Sequence, residues 1–345
     1  MQQGKRVCIW DNLKCVLIFL VVVGHFVNQF EDESSIMRSI SFFIYSFHMP
    51  LFIFLSGLLE KRWDENRPFQ WTKPVYYILI GYWLKVFIYA IKVFFGRNAR
   101  FDFFGDTGCP WYMFAMAAFM VLARILQKYS PRIVLPVSII IACLAGYVPS
   151  IGSFLYLSRI LVFFPFYYVG FLLTPDMVLR FVRDKRVKAG GVLILGILFL
   201  VSFVCIDEVY SYIRLLTGRN AYQMIHVPSC GAVHRFLWYI LSGMAGVSVI
   251  SLIPEKSHPM AEMIGQRTLQ IYFWHRLVLY VMMYTGAADV LKSVIPYLWI
   301  SVYLTIAMGL TLFLSLNVFG KPLKSLKKYE QKVIRYLSGA IPQGM

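Results

Sequence analysis

Long apolar runs separated by short polar segments dominate the pattern of this chain. Ten runs are long enough, at about 1.5 Å per helical residue, to cross about 30 Å of hydrocarbon. They predict an all-α polytopic membrane protein whose roughly ten transmembrane helices form one bundle. The predicted spans cover residues 12–30, 40–59, 74–95, 110–127, 133–149, 157–174, 189–206, 234–253, 268–285 and 295–318.

The composition agrees with a membrane protein. Of the 345 residues, 59% are hydrophobic and 15% are charged, and the mean hydropathy is +0.65. Soluble domains average about 25% charged residues. Lys5 and Arg6 precede the first run, which has no small-residue cleavage site of the kind that ends a secretory signal. We therefore expect the first helix to stay in the mature protein.

The positive charge is concentrated in particular loops. The net charge is +17, and the Lys and Arg residues cluster after the even-numbered spans and in the C-terminal tail. Because cytoplasmic loops of membrane proteins are enriched in Lys and Arg, this bias predicts that both termini are cytoplasmic. No basic segment is interleaved with aromatic residues as a stacking platform for single strands requires, so we expect no nucleic acid partner.

The C-terminal end differs from the rest of the chain in composition. Residues 1–320 form the predicted transmembrane domain, and residues 321–345 form a basic cytoplasmic tail. In that tail Leu323, Leu326 and Tyr329 begin a series of apolar positions at helical spacing. This pattern is typical of an amphipathic helix on the anionic inner leaflet, and a merely solvated tail is the alternative.

The cysteine pattern does not indicate a metal site. The six cysteines show neither CxxC nor Cys/His ligand spacing, and no His/Glu/Asp cluster has zinc spacing. No Gly-Lys-Ser/Thr phosphate loop is present either. We therefore predict neither a bound metal nor nucleotide hydrolysis. Cys109 and Cys230 both fall in predicted outer loops, which leaves a disulfide between them open.

Ionisable residues interrupt the first two spans. Asp11, Lys14 and His25 belong to the first, and His48 lies near the start of the second. A charge facing lipid costs at least about 2.5 kcal/mol, so such residues usually face a bundle interior or a water-filled cavity. Lys14 and His25 are eleven positions apart, which places them on one helical stripe about 16 Å apart.

These residues resemble a family motif. Lys14, ten intervening residues and His25 resemble the Arg/Lys-x10-His motif of the membrane-bound acyltransferase 3 family. Residues 47–57 (FHMPLFIFLSG) are similar to its second-helix signature, with Ile53 in place of a Phe. The DNLK segment that begins at Asp11, taken with FHMPLF, is most similar to the fucose 4-O-acetylase-like branch.

The resemblance implies an integral membrane O-acyltransferase. Such an enzyme moves an acetyl or other short acyl group from cytoplasmic acyl-CoA, its co-substrate, to a hydroxyl of an extracytoplasmic or lipid-linked sugar. It further implies a multi-pass protein of the bacterial cytoplasmic membrane that modifies cell-envelope polysaccharide by O-acetylation. The partners are then acetyl-CoA, the sugar or glycan acceptor and the lipid bilayer, while a homodimer is left open.

His25 is the first candidate for catalysis. Its neutral imidazole could take the proton from a sugar hydroxyl as that oxygen attacks the thioester carbonyl, with Asp11 or Lys14 supporting the ring. An acyl-histidine relay is a second mechanism. The alternative is a buried structural histidine or part of a proton relay. Lys14 would contact the phosphates or carbonyls of acyl-CoA; otherwise it snorkels to the inner surface or pairs with Asp11.

The resemblance implies further site residues. His48 would orient the substrate or the catalytic imidazole, and the basic Lys61 and Arg62 would hold CoA phosphates. Residues 265–275 resemble the family's Gly-x-x-Ser-Leu-x-Ile-Tyr-x-x-His element, and its His275 would lie on the CoA side. Core packing is the alternative for the two histidines, and topology-setting charge is the alternative for the loop cations.

Two more positions would contact the acceptor. Trp111 opens the fourth span in a segment similar to the family's Trp-Phe/Tyr element, and Arg159 lies at the outer end of the sixth span. The resemblance implies that both bind substrate, and packing is the alternative.

A transporter, a flippase or a proton-coupled exporter of a glycan precursor is the competing class. Ten spans with intramembrane charges fit such a protein. Transporters of this kind often contain paired, Gly/Pro-broken helices in two matching halves, and the sequence shows no such pairing.

Overall fold

The computed structural model describes residues 8–60, 69–225 and 228–337. Within these ranges the secondary structure is helical, without a β-strand, and one antiparallel bridge joins Gly105 to Phe154. The all-helical prediction is confirmed.

Seventeen α-helices, in the described ranges, are joined by turns and short loops. The N-terminal half contains α1 (Cys8–Val27), α2 (Ser35–Tyr45), α3 (His48–Leu58), α4 (Thr72–Phe94), α5 (Trp111–Leu126), α6 (Pro131–Ala145), α7 (Leu157–Leu172) and α8 (Pro175–Val182). The C-terminal half contains α9 (Lys185–Val204), α10 (Ile206–Val209), α11 (Ile213–Leu216), α12 (Gly231–Leu252), α13 (Pro259–Gln266), α14 (Thr268–Tyr284), α15 (Ala287–Val294), α16 (Trp299–Leu314) and α17 (Asn317–Leu337).

Helix α1 lies in the middle of the bundle. It packs against α2, α3, α13, α14 and α16, and most of its apolar side chains are buried, including Leu13, Ile18, Val22 and Phe26. Even the carboxylate-bearing Asp11 is only 2% exposed. A helix surrounded in this way presents its polar residues to neighbouring helices and not to lipid.

The outer helices carry the apolar surface of the bundle. On α9, for example, Leu193, Ile197, Leu200 and Val204 are exposed. A continuous exposed apolar face of this kind is typical of contact with lipid. The protein is therefore a helical membrane protein.

The number of spans depends on how bent helices are counted. Within the described residues, five segments are long and apolar enough to cross a membrane, or up to eight when three bent helix pairs each count as one span. The helices α5 and α6 are apolar but shorter. The count of ten and the cytoplasmic termini remain predictions.

The predicted span 40–59 is broken into two helices. Helix α3 begins at His48, directly after the break. The Ser46 hydroxyl donates to the carbonyl of Phe42 at 2.7 Å, and Ser242 of α12 donates to the carbonyl of Ser46. Backbone groups exposed by the break are thus paired inside the protein, as a low-dielectric environment requires. The break places His48 in the first turn of a new helix.

Helices α3 and α7 touch through two glycines. A Cβ added to Gly57 would collide with the carbonyl of Tyr167 and approach the amide of Phe171 to 3.0 Å. A Cβ added to Gly170 would collide with the carbonyl of Phe54. Only residues without a side chain permit this backbone contact, which is the small-residue packing common between transmembrane helices.

The loop before α5 is attached to α4 by one buried lysine. Lys85 Nζ donates to the carbonyls of Asp102, Phe103 and Gly105, each at 2.9 Å. The Asp102 carboxylate accepts from the amides of Gly105 at 2.7 Å and Phe104 at 3.0 Å, which closes the turn. These bonds give the loop one defined shape beside α4.

Helix α17 begins at Asn317, four residues before the predicted start of the tail, and turns 54° from α16. Leu323 is buried, and the Tyr76 hydroxyl donates to its carbonyl at 3.1 Å. Its described lysines are exposed: Lys321, Lys324, Lys327 and Lys328. The helix is thus amphipathic, with its apolar side on α4.

Candidate active site

Lys14 and His25 line two different cavities within the bundle. Lys14 lines a cavity of about 280 Å³ and His25 lines one of about 190 Å³. Because the two residues are eleven positions apart on α1, the cavities follow one another along the helix over about 16 Å. Tyr272 of α14 lines both. Its side chain therefore stands where the Lys14 cavity and the His25 cavity come together.

The His25 cavity is built from α1, α2, α3, α5, α7, α11, α14 and the loops beside them. Its wall combines imidazoles, guanidinium groups, a phenol pair and an amide with apolar side chains. The lining residues are His25, Asn28, Tyr45, His48, Met49, Gly108, Cys109, Trp111, Arg159, Phe163, Leu216, Thr217, Tyr272 and Arg276.

The imidazole of His25 lies against that of His275. The ring centroids are 5.2 Å apart and the planes are inclined by 24°. His275 is fully buried, and its ring also contacts Tyr272, with centroids 5.6 Å apart. The expected location of His275 on the CoA side stays a prediction, because this contact does not identify where CoA binds. Its ring packs beside His25 because α14 runs alongside α1.

The hydrogen bonds of two histidines determine which of their nitrogens can act. Nδ1 of His48 bonds the carbonyl of Ile44 at 2.8 Å, and Nδ1 of His275 bonds the carbonyl of Ile271 at 3.0 Å. A carbonyl can only accept, so in each neutral ring Nδ1 carries the proton and Nε2 carries the lone pair. His48 lines the cavity with His25, so the two predicted residues lie in one site.

Arg159 and Trp111, both predicted to bind substrate, are neighbours in this cavity. The guanidinium of Arg159 lies over the Trp111 ring, 4.9 Å from its centroid. Arg159 Nε is 3.4 Å from a carboxylate oxygen of Asp106, which also has Arg219 at 3.8 Å. One carboxylate is thus shared by two arginines.

Asn28 joins the polar part of the wall. Its side-chain amide is hydrogen-bonded to the hydroxyl of Tyr45 at 2.6 Å and to that of Ser41 at 3.0 Å. Ser41 also donates to the carboxylate of Glu31. This chain of hydrogen bonds holds the Tyr45 hydroxyl at the cavity surface.

Asp11 does not contact the imidazole of His25. The two are fourteen positions apart on one helix, a rise of about 21 Å. The Asp11 carboxylate accepts from Lys14 Nζ at 3.3 Å. Support of His25 by Asp11 through packing and charge stays a prediction.

The Lys14 cavity has a different wall from the His25 cavity. Glu60, Ser56, Tyr112 and Gln266 line it together with three methionines. The hydroxyls of Ser56 and Tyr112 are 3.0 Å apart, so the two are hydrogen-bonded. Methionine side chains adapt to irregular ligands, which suits a flexible chain passing through the cavity.

Lys61 and Arg62, predicted to hold CoA phosphates, lie outside the described residues. They follow Glu60 directly in the chain, and Glu60 lines the Lys14 cavity. Their role remains a prediction.

Sequence reasoning missed Arg276 and Cys109. Arg276 follows His275 and lines the His25 cavity, and Cys109 lies in the loop that precedes α5. Only the fold brings them to α1. The sequence did contain one indication for Arg276. It is a cation within the apolar run 268–285, and charged residues in such runs rarely face lipid.

His25, Cys109 and His275 also form a group with metal-ligating atoms. These atoms lie within 4.8 Å of one another. The sequence spacing did not indicate this group, since its members come from α1, a loop and α14. Zinc bonds of about 2.0–2.3 Å require ligand atoms roughly 3.5 Å apart, and the neighbouring cation Arg276 disfavours a divalent ion.

The disulfide left open between Cys109 and Cys230 is not formed in this structure. All six cysteines, Cys230 among them, are free thiols.

The comparison with protein families supports the resemblance. The family model described as an acyltransferase domain matches residues 9–319, and both α1 and the His25 cavity fall within that match. No curated protein and no solved structure matches this chain. Because the matched region covers far more than half of the 345 residues, the chain belongs to the acyltransferase 3 family of membrane acyltransferases.

Proposed function

We propose that this protein transfers an acetyl or other short acyl group from acyl-CoA to a hydroxyl of a sugar, with His25 as general base. The observation that carries the proposal is the pair of cavities along α1 whose walls share Tyr272. One contains a lysine suited to an anionic donor, and the other contains the imidazole. Donor and acceptor can therefore approach the same point from opposite directions.

His25 performs the proton transfer in this mechanism. Its neutral imidazole takes the proton of the acceptor hydroxyl while that oxygen attacks the thioester carbonyl carbon. The new C–O bond forms, the C–S bond breaks, and the imidazolium returns its proton to the departing thiolate of CoA. His25 is thus regenerated, and such acid–base catalysis contributes typically about 10²–10⁴-fold.

His48 and His275 assist in different ways. Nε2 of His48 is free to accept a hydrogen bond, because its Nδ1 is bound to Ile44. His48 can therefore orient the acceptor hydroxyl in the cavity it shares with His25. His275 supports the His25 ring by stacking.

We propose that Lys14 binds the acyl-CoA donor. Its side chain is partly exposed in its cavity, where the ammonium can contact phosphate or carbonyl oxygens of acyl-CoA. The pantetheine arm of CoA would then lie along α1, with Lys61 and Arg62 at the nucleotide end. In this arrangement the Lys14 end of α1 faces the cytoplasm, both termini are cytoplasmic, and the acceptor is an extracytoplasmic or lipid-linked sugar of a bacterial cell envelope.

The test is acyl-CoA consumption by the purified protein in detergent, with release of CoA measured chromatographically. We expect His25→Ala to lose about 10²-fold or more of the activity, while His258→Ala, at an exposed position directly before α13, keeps it. Unchanged turnover in His25→Ala contradicts the role of the imidazole. Rapid quenching separates the two mechanisms, since an acyl-histidine relay accumulates acylated protein and direct transfer does not.

A transporter is the alternative class, and the bent helix pairs bear on it. The chain turns by 93° between α7 and α8, by 63° between α14 and α15, and by 54° between α16 and α17. Two of these bends lie in the C-terminal third, and they do not form a matched pair between two halves, as inverted-repeat transporters require. Sugar uptake by reconstituted vesicles that survives His25→Ala, without acyl-CoA turnover, would favour transport.

A further inference from the structure

The His25 cavity is positively charged at its wall. Among the described residues that line it are two arginines, Arg159 and Arg276, and no carboxylate. The two nearby carboxylates, Asp106 and Glu31, lie outside the lining. An acceptor that was a plain neutral sugar would not need this charge.

Arg276 has donors that no protein group uses. Its Nε and Nη1 atoms are buried, and within the described part of the chain neither has a hydrogen-bond partner. The guanidinium lies over the ring of Tyr280, 4.8 Å from the centroid. Stacking of this kind fixes the plane of the guanidinium and leaves its edge, with the N–H groups, available to a planar anion.

Arg159 repeats the arrangement at another position in the wall of the same cavity. It stacks on Trp111, and its Nε and Nη1 atoms are likewise buried without a hydrogen-bond partner among the described residues. Its nearest carboxylate, on Asp106, is at 3.4 Å and is shared with Arg219. One negative charge between two cations leaves the wall with a positive excess.

Buried guanidinium N–H groups that lack a hydrogen-bond acceptor are costly, because burial removes the water that would otherwise bond them. A ligand anion that accepts these hydrogen bonds removes the cost and gains bidentate pairing. We infer that the acceptor carries a carboxylate or phosphate group, which Arg276 and Arg159 bind beside His25. The inference rests on the proposed function and names its substrate class as an anionic sugar.

The size of the cavity is consistent with one sugar unit. At about 190 Å³, it is smaller than the roughly 300–1,000 Å³ of pockets for drug-sized ligands. One ring with its anionic substituent is therefore the part of the acceptor that the cavity encloses, and any remaining glycan lies outside.

The first test measures binding without catalysis. Hexuronates, hexose 6-phosphates and the matching neutral hexoses are compared by the rise they cause in the unfolding temperature of the purified protein, since a ligand of the native state stabilises it. We expect the anionic sugars to cause the larger rise, and the more effective series identifies carboxylate or phosphate. Equal shifts for anionic and neutral sugars, or no shift with either, overturn the inference.

Substitutions of Arg276 test whether this residue binds the anionic sugars. Arg276→Gln should abolish the difference between anionic and neutral sugars, and Arg276→Lys should keep part of it. Arg97→Gln is the matched control, because Arg97 stacks on Tyr284 of the same helix, 5.0 Å from the centroid, but is exposed and lies outside the cavity. This control should retain the full difference.

The second test is kinetic. We expect Arg276→Gln to raise KM for anionic acceptors roughly tenfold or more, as loss of a charged hydrogen-bond partner does. Acyl-CoA hydrolysis without acceptor is measured for the same variant, and the control Arg97→Gln, outside the cavity, should leave it unchanged. A fall in kcat for every acceptor, together with slower hydrolysis, would mean that Arg276 stabilises the transition state, and the inference would be wrong.

The outcomes separate the inference from the proposed function. Transfer to neutral sugars without preference for anionic ones contradicts the inference and leaves the acyltransferase reaction intact. Selective binding of anionic sugars without acyl-CoA turnover contradicts the proposed reaction and leaves the anion site intact.

Discussion

The imidazole of His25 stacks on that of His275, with centroids 5.2 Å apart and planes inclined by 24°. His275 is in turn held by the bond from its Nδ1 to the carbonyl of Ile271. The orientation of His25 is thus set by a second histidine, whose own ring is attached to the backbone of α14. In the proposed mechanism, the group that supports the His25 ring is therefore an aromatic ring and not a charged partner.

This relationship predicts the behaviour of two substitutions at His275. His275→Phe keeps a flat ring against His25 and should keep most of the activity, whereas His275→Ala removes the support. A misplacement of about 1 Å can cost about 10²-fold in rate, so we expect kcat of His275→Ala to fall by that order. KM for acyl-CoA should change little. The steady-state kinetics of the two purified variants provide the measurement.

Equal losses in both His275 variants would contradict the stacking role. That result would instead assign the function to the Nε2 lone pair of His275, since phenylalanine lacks it. A comparison of unfolding temperatures separates either effect from simple loss of folding.

Much of the helical framework could be predicted from hydropathy. The predicted span 268–285 matches Thr268–Tyr284, and 157–174 matches Leu157–Leu172. The break inside the predicted span 40–59 could not be predicted from hydropathy. It involves a hydrogen bond from Ser242, about two hundred positions away in the chain. Apolar length shows where a helix can form, but only tertiary contacts show where it can be interrupted.

The site was visible where its residues share one helix. Lys14 and His25 are related by helical geometry alone, so their common stripe could be worked out in advance. The contact of His25 with His275 and Arg276 could not, since it depends on how α14 packs against α1. The charge of Arg276 inside an apolar run was the one local signal, and it indicated burial without naming the partner.

Lys14 should affect the donor and not the chemistry. Because it lines a different cavity from His25, Lys14→Ala should raise KM for acyl-CoA about tenfold, as loss of one charge-assisted contact does. The value of kcat at saturating donor should remain close to that of the parent protein. Lys14→Arg should recover most of the affinity, and Lys188→Ala, at an exposed position on α9, is the control.

Initial rates measured as a function of acyl-CoA concentration give KM and kcat for each variant and test this prediction. A fall in kcat with unchanged KM in Lys14→Ala would contradict donor binding by Lys14. It would also weaken the case that the two cavities serve two substrates.

The glycine contact between α3 and α7 should be sensitive to a single methyl group. Gly170→Ala places a Cβ against the carbonyl of Phe54, and overpacking against backbone costs about 3 kcal/mol or more. Gly196→Ala on α9 is the matched control, because nothing lies within 4 Å of its Cβ position. Thermal unfolding in detergent should show a large loss for Gly170→Ala and none for the control. Equal unfolding temperatures for both variants would mean that the helices can separate freely.

The turn at Asp102 should make stability depend on pH. Hydrogen bonds from the amides of Gly105 and Phe104 hold the pKa of the Asp102 carboxyl below its usual range. A depressed folded-state pKa contributes stability that is present above the unfolded value, about 3.9, and is lost as the pH falls through the folded value. Asp102→Asn should therefore unfold at a lower temperature than the parent at pH 7, with a difference that closes below about pH 3.9.

The control for this prediction is Asp289→Asn, whose carboxylate is 79% exposed and lies 3.7 Å from Lys292. It should show little difference from the parent at any pH, because exposed ion pairs contribute little to stability. The Asp102 turn presents the carbonyls that Lys85 bonds, and the loop leads directly to Asp106 beside Arg159. The unfolding temperatures of Asp102→Asn and the parent could instead differ by the same amount from pH 7 to acid pH. That result would show that the carboxylate charge does not hold this loop. The position of Arg159 would then depend on other contacts.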